Sequence, residues 1–182
     1  MNLQSNKTQL RPTLKQTLEH LSSERKEAAS VDACLYLIQS LQNTQKNVLS
    51  FASTLYEINL WPLNKWLLKE GKLLLPKVEN NDLKVCKVSS FSDLRLSANG
   101  IQEPCVSRCE LIEPAVADFI ILVPALGFDE NRNRIGRGKG HYDKLLSKFP
   151  LCSKWGIGFL EQKLERVPLE EDDYRLDKVL FF

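Results

Sequence analysis

The segment from Asn133 to Leu146 combines glycines and cations in a pattern that suits anion binding. It reads N-R-I-G-R-G-K-G-H-Y-D-K-L-L and comes immediately before a predicted helix. Its alternating glycines are Gly136, Gly138 and Gly140, and its interleaved cations are Arg134, Arg137 and Lys139. Where side chains are absent, successive backbone N–H groups can converge on an anion, and the amino end of the helix adds positive potential. The segment therefore predicts a phosphate-binding loop.

The spacing of this loop differs from that of two common phosphate-binding motifs. It lacks the G-K-[ST] ending of a P-loop, and it does not match G-x-G-x-x-G. A flexible, solvated basic turn is the alternative interpretation of a short glycine-rich run. The three interleaved cations favour ligand binding over that alternative.

Three charged residues outside the glycine run are further candidates for the same site. Asp143 falls in the first turn of the predicted helix, where it could compensate the helix dipole or hold a Mg²⁺ ion beside a phosphate. Lys7 and Arg11 lie four residues apart on a predicted first helix, so they share a face and could reach one ligand together. Alone, such a pair is usually a solvated face.

Length and composition indicate one globular domain over residues 1–182. Hydrophobic residues make up 43% of the chain and charged residues 26%, as in ordinary globular proteins. The net charge of +2 is too small to indicate binding to nucleic acid or to a membrane surface. Because the first residues contain no apolar leader or spanning segment, we expect a cytoplasmic protein. We expect it to act on small molecules as a monomer.

The cysteines and histidines form no recognisable catalytic or zinc-binding pattern. The five cysteines are Cys34, Cys86, Cys105, Cys109 and Cys152. Their odd number and wide spacing predict reduced thiols, and the close pair Cys105 and Cys109 lacks the further ligands of a tetrahedral zinc site. His20 and His141 are far apart in the sequence and belong to no Ser/His/Asp or Cys/His pattern.

Periodicity and capping signals predict three helices before the loop. The first has an apolar stripe of Leu10, Leu14, Leu18 and Leu21. Ser22 or Ser23 can cap a second helix that ends near Asn43. A third begins at Pro62 and ends before Gly71, in keeping with the preference for proline at the start and glycine after the end.

Apolar runs without helical period predict strands at 48–53, 72–78, 83–88, 106–112, 118–124, 155–160 and 179–182. A polar stretch with Asn99 and Gly100 lies between two of them. The alternation of strands with helices implies parallel pairing through right-handed crossovers, and therefore an α/β layer fold. Because ligands of such sheets bind at the carboxyl ends of strands, we expect the site just beyond Pro124.

The loop and its surroundings resemble the signature of the 5-formyltetrahydrofolate cyclo-ligase family. That signature is a strand ending in Val-Pro, then Phe-Asp, then Arg-x-Gly-x-Gly-x-Gly-Tyr-Tyr-Asp. Here residues 122–129 read Leu-Val-Pro-Ala-Leu-Gly-Phe-Asp, and residues 134–143 read Arg-Ile-Gly-Arg-Gly-Lys-Gly-His-Tyr-Asp. Further matches are Lys7, Leu10, Arg11, Glu57, Ile58, the runs 75–78 and 100–104, Gln162, Pro168, Asp173 and Asp177.

The resemblance implies an enzyme that uses MgATP to convert 5-formyltetrahydrofolate into 5,10-methenyltetrahydrofolate, with release of ADP and phosphate. The formyl oxygen would attack the γ-phosphate, and N10 of the folate would then attack the activated carbon and displace phosphate. Such chemistry needs positioning and charge stabilisation rather than a protein nucleophile. The implied fold is a single-domain three-layer α/β sandwich, with a mostly parallel sheet and helices on both faces.

The resemblance also implies roles for the matching residues. The ATP phosphates would be held by Lys7, Arg11, Arg134, Gly136, Arg137, Gly138, Lys139, Gly140 and Tyr142. Arg134 and Lys139 would act in catalysis, and Asp143 and Asp173 would lie near the metal. The folate would be contacted by Glu57, Lys139, His141 and Tyr142, because the segment 139–142 would lie between the two substrates.

Most departures from the family pattern fall on the side predicted to bind folate. His141 replaces the first tyrosine of the motif, Asn59-Leu60 replaces an acid-Thr pair, and Asp172 replaces a common His or Asn. The substitutions at His141, Asn59 and Leu60 leave open a related ATP-dependent ligase with a different substrate. A non-catalytic protein that binds folate or nucleotide is the other alternative.

Arg132 departs from the pattern in the turn before the loop, where glycine is frequent in the family. A residue with a side chain would be strained there at positive φ. Asn131 or Asn133 would instead adopt the positive φ.

Overall fold

The computed structural model describes residues 3–80, 82–97, 100–114 and 118–182. Its helices are α1 (Leu3–Glu19), α2 (Ser23–Leu41), α3 (Trp61–Lys69) and α4 (His141–Lys148). Its strands are β1 (Val48–Leu49), β2 (Leu73–Glu79), β3 (Asp82–Lys87), β4 (Leu94–Leu96), β5 (Gln102–Pro104), β6 (Glu110–Leu111), β7 (Ile120–Val123), β8 (Gly127–Asp129), β9 (Arg134–Ile135), β10 (Ser153–Gly158), β11 (Lys163–Leu164) and β12 (Lys178–Phe181). Asn99, in the predicted polar stretch, lies outside these ranges.

A seven-stranded sheet in the order β12-β10-β7-β1-β2-β3-β6 forms the centre of the protein. The four pairings from β12 to β2 are parallel, which confirms the predicted mostly parallel sheet. β3 instead pairs antiparallel with β2, from Glu79↔Asp82 onward. Two residues cannot accommodate a crossover helix, and Asn80, with φ 49°, begins this tight turn.

The sheet is buried on both faces because alternate strand residues point to opposite sides. Val48, Leu73 and Leu122 belong to an apolar cluster with residues of α1, α2 and α3. Leu49 and Leu74 belong to a second cluster with residues of α4. Helices therefore cover both faces of the sheet, and the predicted three-layer α/β sandwich is confirmed.

The helices begin and end close to where the sequence predicts. Ser22 is the N-cap of α2, since its side chain accepts a hydrogen bond from the backbone N–H of Arg25 at 3.1 Å. Pro62 lies in the first turn of α3, and Gly71 follows that helix with φ 67°. Leu21 lies just beyond the end of α1. No helix in the described ranges is long and apolar enough to cross a bilayer.

Two predicted strands are largely absent. The segment 106–112 contains a 3₁₀ helix, Val106–Arg108, and only Glu110–Leu111 pairs as a strand. The backbone N–H of Arg108 donates to the Cys105 carbonyl at 2.8 Å, so a local turn replaces the ladder. Of the segment 48–53, only Val48–Leu49 is strand, because the chain then leaves the sheet to form one wall of a cleft.

Candidate active site

A cleft of about 550 Å³ opens at the carboxyl edge of the central sheet. Phe51 and Ala52 line it just after β1, and Pro124 and Ala125 line it just after β7. This is the position predicted for the site. All the site residues inferred from the sequence line this one cleft: Lys7, Arg11, Glu57, Arg134, Gly136, Arg137, Gly138, Lys139, Gly140, His141, Tyr142, Asp143 and Asp173.

A buried carboxylate anchors the hairpin that leads into the glycine loop. Asp129, only 1% exposed, ends β8 and accepts hydrogen bonds from the backbone N–H of Asn133 at 2.9 Å and of Val167 at 3.0 Å. The side-chain amide of Asn133 donates at 3.0 Å to the same Asp129 oxygen as the Val167 N–H, Oδ2. These bonds lower the pKa of Asp129 against the opposing effect of burial, which is the larger single influence. They hold the start of β9 and hence Arg134.

Arg132 itself adopts the left-handed conformation in this hairpin, with φ 67°. Asn131 and Asn133 do not, so the expectation that one of them would carry it is wrong. Two contacts hold Arg132 in place: its guanidinium donates to the Asp177 carbonyl at 2.9 Å, and its own carbonyl accepts from the Leu176 N–H at 3.1 Å. The turn is thus fixed by the C-terminal segment despite its backbone strain.

Two glycines of the loop occupy conformations that side chains rarely adopt. Gly138 has φ 95°, and Gly140 has φ 65° as the N-cap of α4. A Cβ at Gly138 would lie 3.3 Å from the guanidinium carbon of Arg11, whose Nε donates to the Gly136 carbonyl at 3.0 Å. The loop therefore passes directly beneath the end of the Arg11 side chain, and α1 supports it.

Arg134 and Asp143 form an ion pair at the base of the loop. The guanidinium of Arg134 also donates to the Tyr174 carbonyl at 2.8 Å, and the residue is only 5% exposed. Asp143 lies in the first turn of α4, as predicted. Asp143 therefore has a third role besides the two considered from the sequence, because it neutralises the buried charge of Arg134.

Lys7 forms a second ion pair, which joins the first helix to the C-terminal segment. Its ammonium group contacts the Asp173 carboxylate and lies 3.4 Å from that of Glu170. Asp173 in turn accepts a hydrogen bond from the backbone N–H of Glu170 at 2.7 Å. Lys7 is 3% exposed, so it is not the solvated side chain that the helical spacing alone would allow.

Arg137 and Glu57 form a third ion pair, at 2.8 Å. The same guanidinium nitrogen contacts the hydroxyl of Thr54, and the guanidinium lies 5.4 Å from the centre of the Tyr56 ring. The second carboxylate oxygen of Glu57 accepts the backbone N–H of Thr54 at 2.8 Å. Residues predicted to contact different substrates are therefore in direct contact.

The cleft carries balanced charges, although its loop is basic in sequence. Its cations are Lys7, Arg11, Arg134, Arg137 and Lys139, and its carboxylates are Glu57, Glu103, Asp143, Glu170 and Asp173. Within the described ranges, Lys139 forms no ion pair and is exposed. Its charge is thus the one most available to a ligand.

Burial shifts the pKa values of both ring residues that follow Gly140. The pKa of His141 is lowered, first by burial and then by the nearby Lys139 and Lys144 charges. Burial raises the pKa of Tyr142, so its hydroxyl stays protonated. Near neutral pH both side chains are therefore uncharged on the cleft wall.

An apolar part of the cleft lining was missed from the sequence. It includes Val78, Leu83 and Ile101, which come from β2, β3 and the segment before β5. Thr54 and Glu170 were missed as well. Strand ends at the carboxyl edge could have indicated Thr54, but the apolar part depends on the antiparallel β2–β3 hairpin, which was not predicted.

Of the departures on the predicted folate side, His141 lines the cleft but Asn59 and Leu60 do not. Leu60 is fully buried in the core, and the Asn59 side chain accepts the Trp61 N–H at 3.1 Å at the start of α3. None of the five cysteines, all of which lie in the described ranges, lines the cleft or forms a disulfide. Asn59 and Leu60 therefore act on local structure rather than directly on a ligand.

The two carboxylates predicted to hold a metal ion, Asp143 and Asp173, both line the cleft, and each pairs with a cation. No three His, Cys, Asp or Glu side chains in the described part of the chain form a cluster that could hold one alone. Mg²⁺ is commonly bound by one or two carboxylates, water and the phosphates of a substrate. The donor set fits that mode.

Together, the sandwich and its cleft define a small α/β protein with a glycine- and cation-rich loop at the carboxyl edge of its sheet. Residues 3–181 match the model of the 5-formyltetrahydrofolate cyclo-ligase family. The chain belongs to this family.

Individual relatives agree with that assignment. The chain is 29% identical to 5-formyltetrahydrofolate cyclo-ligase of Mus musculus over 195 residues, which cover 100% of this chain and 96% of the mouse protein. The NMR structure of Aquifex aeolicus 5,10-methenyltetrahydrofolate synthetase is similar with a TM-score of 0.83 and 33% identity, over 96% of this chain and 89% of that one. A Mycoplasma pneumoniae 5,10-methenyltetrahydrofolate synthetase shares the fold, with a TM-score of 0.75 and 22% identity over 95% and 96% of the two chains.

Proposed function

We propose that the protein catalyses the ATP-dependent cyclisation of 5-formyltetrahydrofolate to 5,10-methenyltetrahydrofolate, with release of ADP and phosphate. The observation that carries this proposal is the convergence of the glycine loop, Lys7, Arg11 and Glu57 on one cleft in a member of the cyclo-ligase family. These residues come from three distant parts of the chain. Their convergence is what a reaction between two bound substrates requires.

The reaction proceeds through phosphorylation of the formyl oxygen. That oxygen forms a bond to the γ-phosphorus as ADP leaves; N10 then bonds to the formyl carbon, loses its proton, and phosphate departs with the formyl oxygen. The protein supplies orientation and charge rather than a nucleophile. Lys139, exposed and without an ion pair in the described ranges, neutralises the transferring phosphoryl group, and the backbone of Gly136 to Gly140 surrounds it.

Arg134 and Asp143 act as a unit in this proposal. Arg134 is held by Tyr174 and Asp143, so its charge reaches the phosphates from a fixed position. When bound, Mg²⁺ would neutralise part of the phosphate charge. Asp143 and Asp173 would hold it; each already faces a cation, so a metal–phosphate pair can enter without leaving an unpaired charge.

The structure weakens the case for a different substrate that rests on the altered sequence. Two of the three positions behind that alternative, Asn59 and Leu60, lie off the cleft wall. His141 remains as a substitution that can alter folate contacts. The proposal therefore keeps 5-formyltetrahydrofolate as the substrate, with one changed contact.

Product formation and phosphate release test the proposed reaction. Protein, MgATP and 5-formyltetrahydrofolate should yield one methenyl product per phosphate released, and Lys139→Ala should lose most of that activity. Lys144→Ala removes a neighbouring exposed lysine that does not line the cleft, so it serves as the matched control. Folate or nucleotide binding without phosphate release would show a non-catalytic binding protein instead.

We also propose that residues 1–182 act as one domain, as a cytoplasmic monomer. Support comes from the shared sheet beneath both apolar clusters and from the five cysteines, none of which forms a disulfide. Sedimentation of the active enzyme tests the monomer, and fractionation of its cells tests the location.

A further inference from the structure

The Arg137–Glu57 ion pair connects the two halves of the proposed reaction, since Arg137 faces the phosphates and Glu57 faces the folate. We infer that nucleotide binding draws Arg137 away from Glu57 and thereby frees the Glu57 carboxylate for 5-formyltetrahydrofolate. Nucleotide and folate therefore bind with positive coupling, each raising the affinity for the other. This inference rests on the proposed function and adds a coupling between its two substrates.

Both oxygens of the Glu57 carboxylate accept hydrogen bonds from other residues of the cleft. One lies 2.8 Å from the Arg137 guanidinium, and the other accepts the Thr54 N–H at 2.8 Å. The pterin ring of a tetrahydrofolate carries N–H donors, for which a carboxylate is a strong acceptor. While Arg137 remains in place, those donors must compete with a charged partner for the same oxygen.

A nucleotide phosphate can take Arg137 because the phosphate carries more charge than one carboxylate. Guanidinium groups bind phosphate in a bidentate geometry, with two parallel N–H donors. The present contacts to Glu57 and Thr54 both use a single nitrogen of Arg137. A phosphate offering two acceptors therefore forms the better-matched pair. Two anions on one guanidinium would also repel each other, which favours exchange over sharing.

Arg137 is free to move while Glu57 is not. The Arg137 side chain is 39% exposed, whereas that of Glu57 is 10% exposed and fixed by the backbone of Thr54. Tyr56 provides a surface along which the guanidinium can shift, because its hydroxyl is held by Glu19 at 2.7 Å. Exchange thus moves the arginine and leaves the carboxylate aimed into the cleft.

The dissociation constant of 5-formyltetrahydrofolate, measured with and without the Mg²⁺ complex of a non-hydrolysable β,γ-imido ATP analogue, tests this exchange. In the wild-type protein we expect the analogue to tighten folate binding by about fivefold or more, in the range usual for coupled sites. The relevant ratio is the folate dissociation constant without the analogue divided by that with it. In Arg137→Gln this ratio should fall to about one, because Glu57 is then released with and without the analogue. By linkage, folate must tighten binding of the analogue by the same factor by which the analogue tightens binding of folate.

Arg25→Gln is the matched control. It breaks another Arg–Glu pair, which is bidentate and lies outside the cleft, with Arg25 bound to Glu161 at 2.8 Å and 2.9 Å. We expect it to keep the wild-type ratio. Glu57→Gln should bind folate weakly in both states and show a ratio near one.

Three results would overturn the inference. A wild-type ratio near one, with the methenyl product still formed, would remove the coupling and leave the proposed function standing. A ratio below one, in which the analogue weakens folate binding, would show that Arg137 bridges both anions. An undiminished ratio in Arg137→Gln would place the coupling elsewhere. If the wild-type protein neither binds folate nor forms product, the proposed function fails as well.

Discussion

Gly138→Ala is expected to separate the shape of the glycine loop from the stability of the protein. Gly138 has φ 95°, well outside the left-handed region near 57° that some side chains tolerate. The new Cβ would also lie 3.3–3.4 Å from three guanidinium atoms of Arg11. The substitution should therefore rotate the loop backbone or displace Arg11, and either change moves Lys139.

The expected cost in stability follows from the backbone conformation. Holding an alanine at positive φ costs about 1–2 kcal/mol. In a chain of this length that corresponds to a fall in melting temperature of about 2–8 °C. Because the loop is exposed, no cavity or core contact adds to the cost. A misplacement of about 1 Å near the transferring phosphoryl group should lower kcat/KM by about 10- to 100-fold.

Gly71→Ala is the control for this experiment. Gly71 has φ 67°, and nothing lies within 4 Å of a Cβ built there. It follows α3, outside the cleft. The variant should lose a similar amount of stability and keep kcat/KM within about twofold.

Thermal melts and initial rates of methenyl product formation on the two variants decide the matter. The reasoning would be refuted by equal activities in Gly138→Ala and Gly71→Ala. It would also be refuted by an unchanged melting temperature in both, since the strain at positive φ would then be absent.

Three further outcomes are expected around the loop. Lys139→Ala should abolish most activity while leaving the melting curve nearly unchanged, because this exposed side chain makes no ion pair within the described ranges; a large shift in melting would contradict that. Asp143→Asn should cost about 1–2 kcal/mol in denaturant unfolding, since it leaves the buried Arg134 without its carboxylate, and should raise the Mg²⁺ concentration needed for activity. An unchanged Mg²⁺ response would limit Asp143 to its ion pair. Since burial lowers the pKa of His141 from 6.5, its protonation should reduce both kcat/KM and stability as pH falls below that value, and His141→Tyr should remove this limb of the rate profile. Superimposable profiles would place His141 away from the bound folate.

The local elements were predictable because they depend on neighbours in the sequence. Ser22 caps its helix through Arg25, three residues away, and Pro62 and Gly71 mark the ends of α3. Residues 120–123 of the run 118–124 lie in the sheet because an apolar segment of that kind is best buried on both faces. The segment 106–112 shows the limit of such prediction, because local turn hydrogen bonds replace most of the strand that its apolar run predicted.

The candidate site was predictable to the extent that the loop carries its own chemistry. Glycines and cations within one short segment indicate a phosphate site without reference to any other part of the chain. The sequence also determined the family, through a motif that needs no knowledge of contacts. For the same reason it made the site look more basic than it is.

Only the tertiary structure determined which cation pairs with which carboxylate. Lys7 contacts Asp173 across 166 positions, and Arg137 contacts Glu57 across 80. The tertiary structure also places Asn59 and Leu60 outside the cleft lining. Spacing along a helix or loop determines which way a side chain leaves the backbone, but the effect of its charge depends on distance in space and on exclusion of water. Both are set by how the helices pack on the sheet, so the balance of five cations against five carboxylates emerges only in the folded chain.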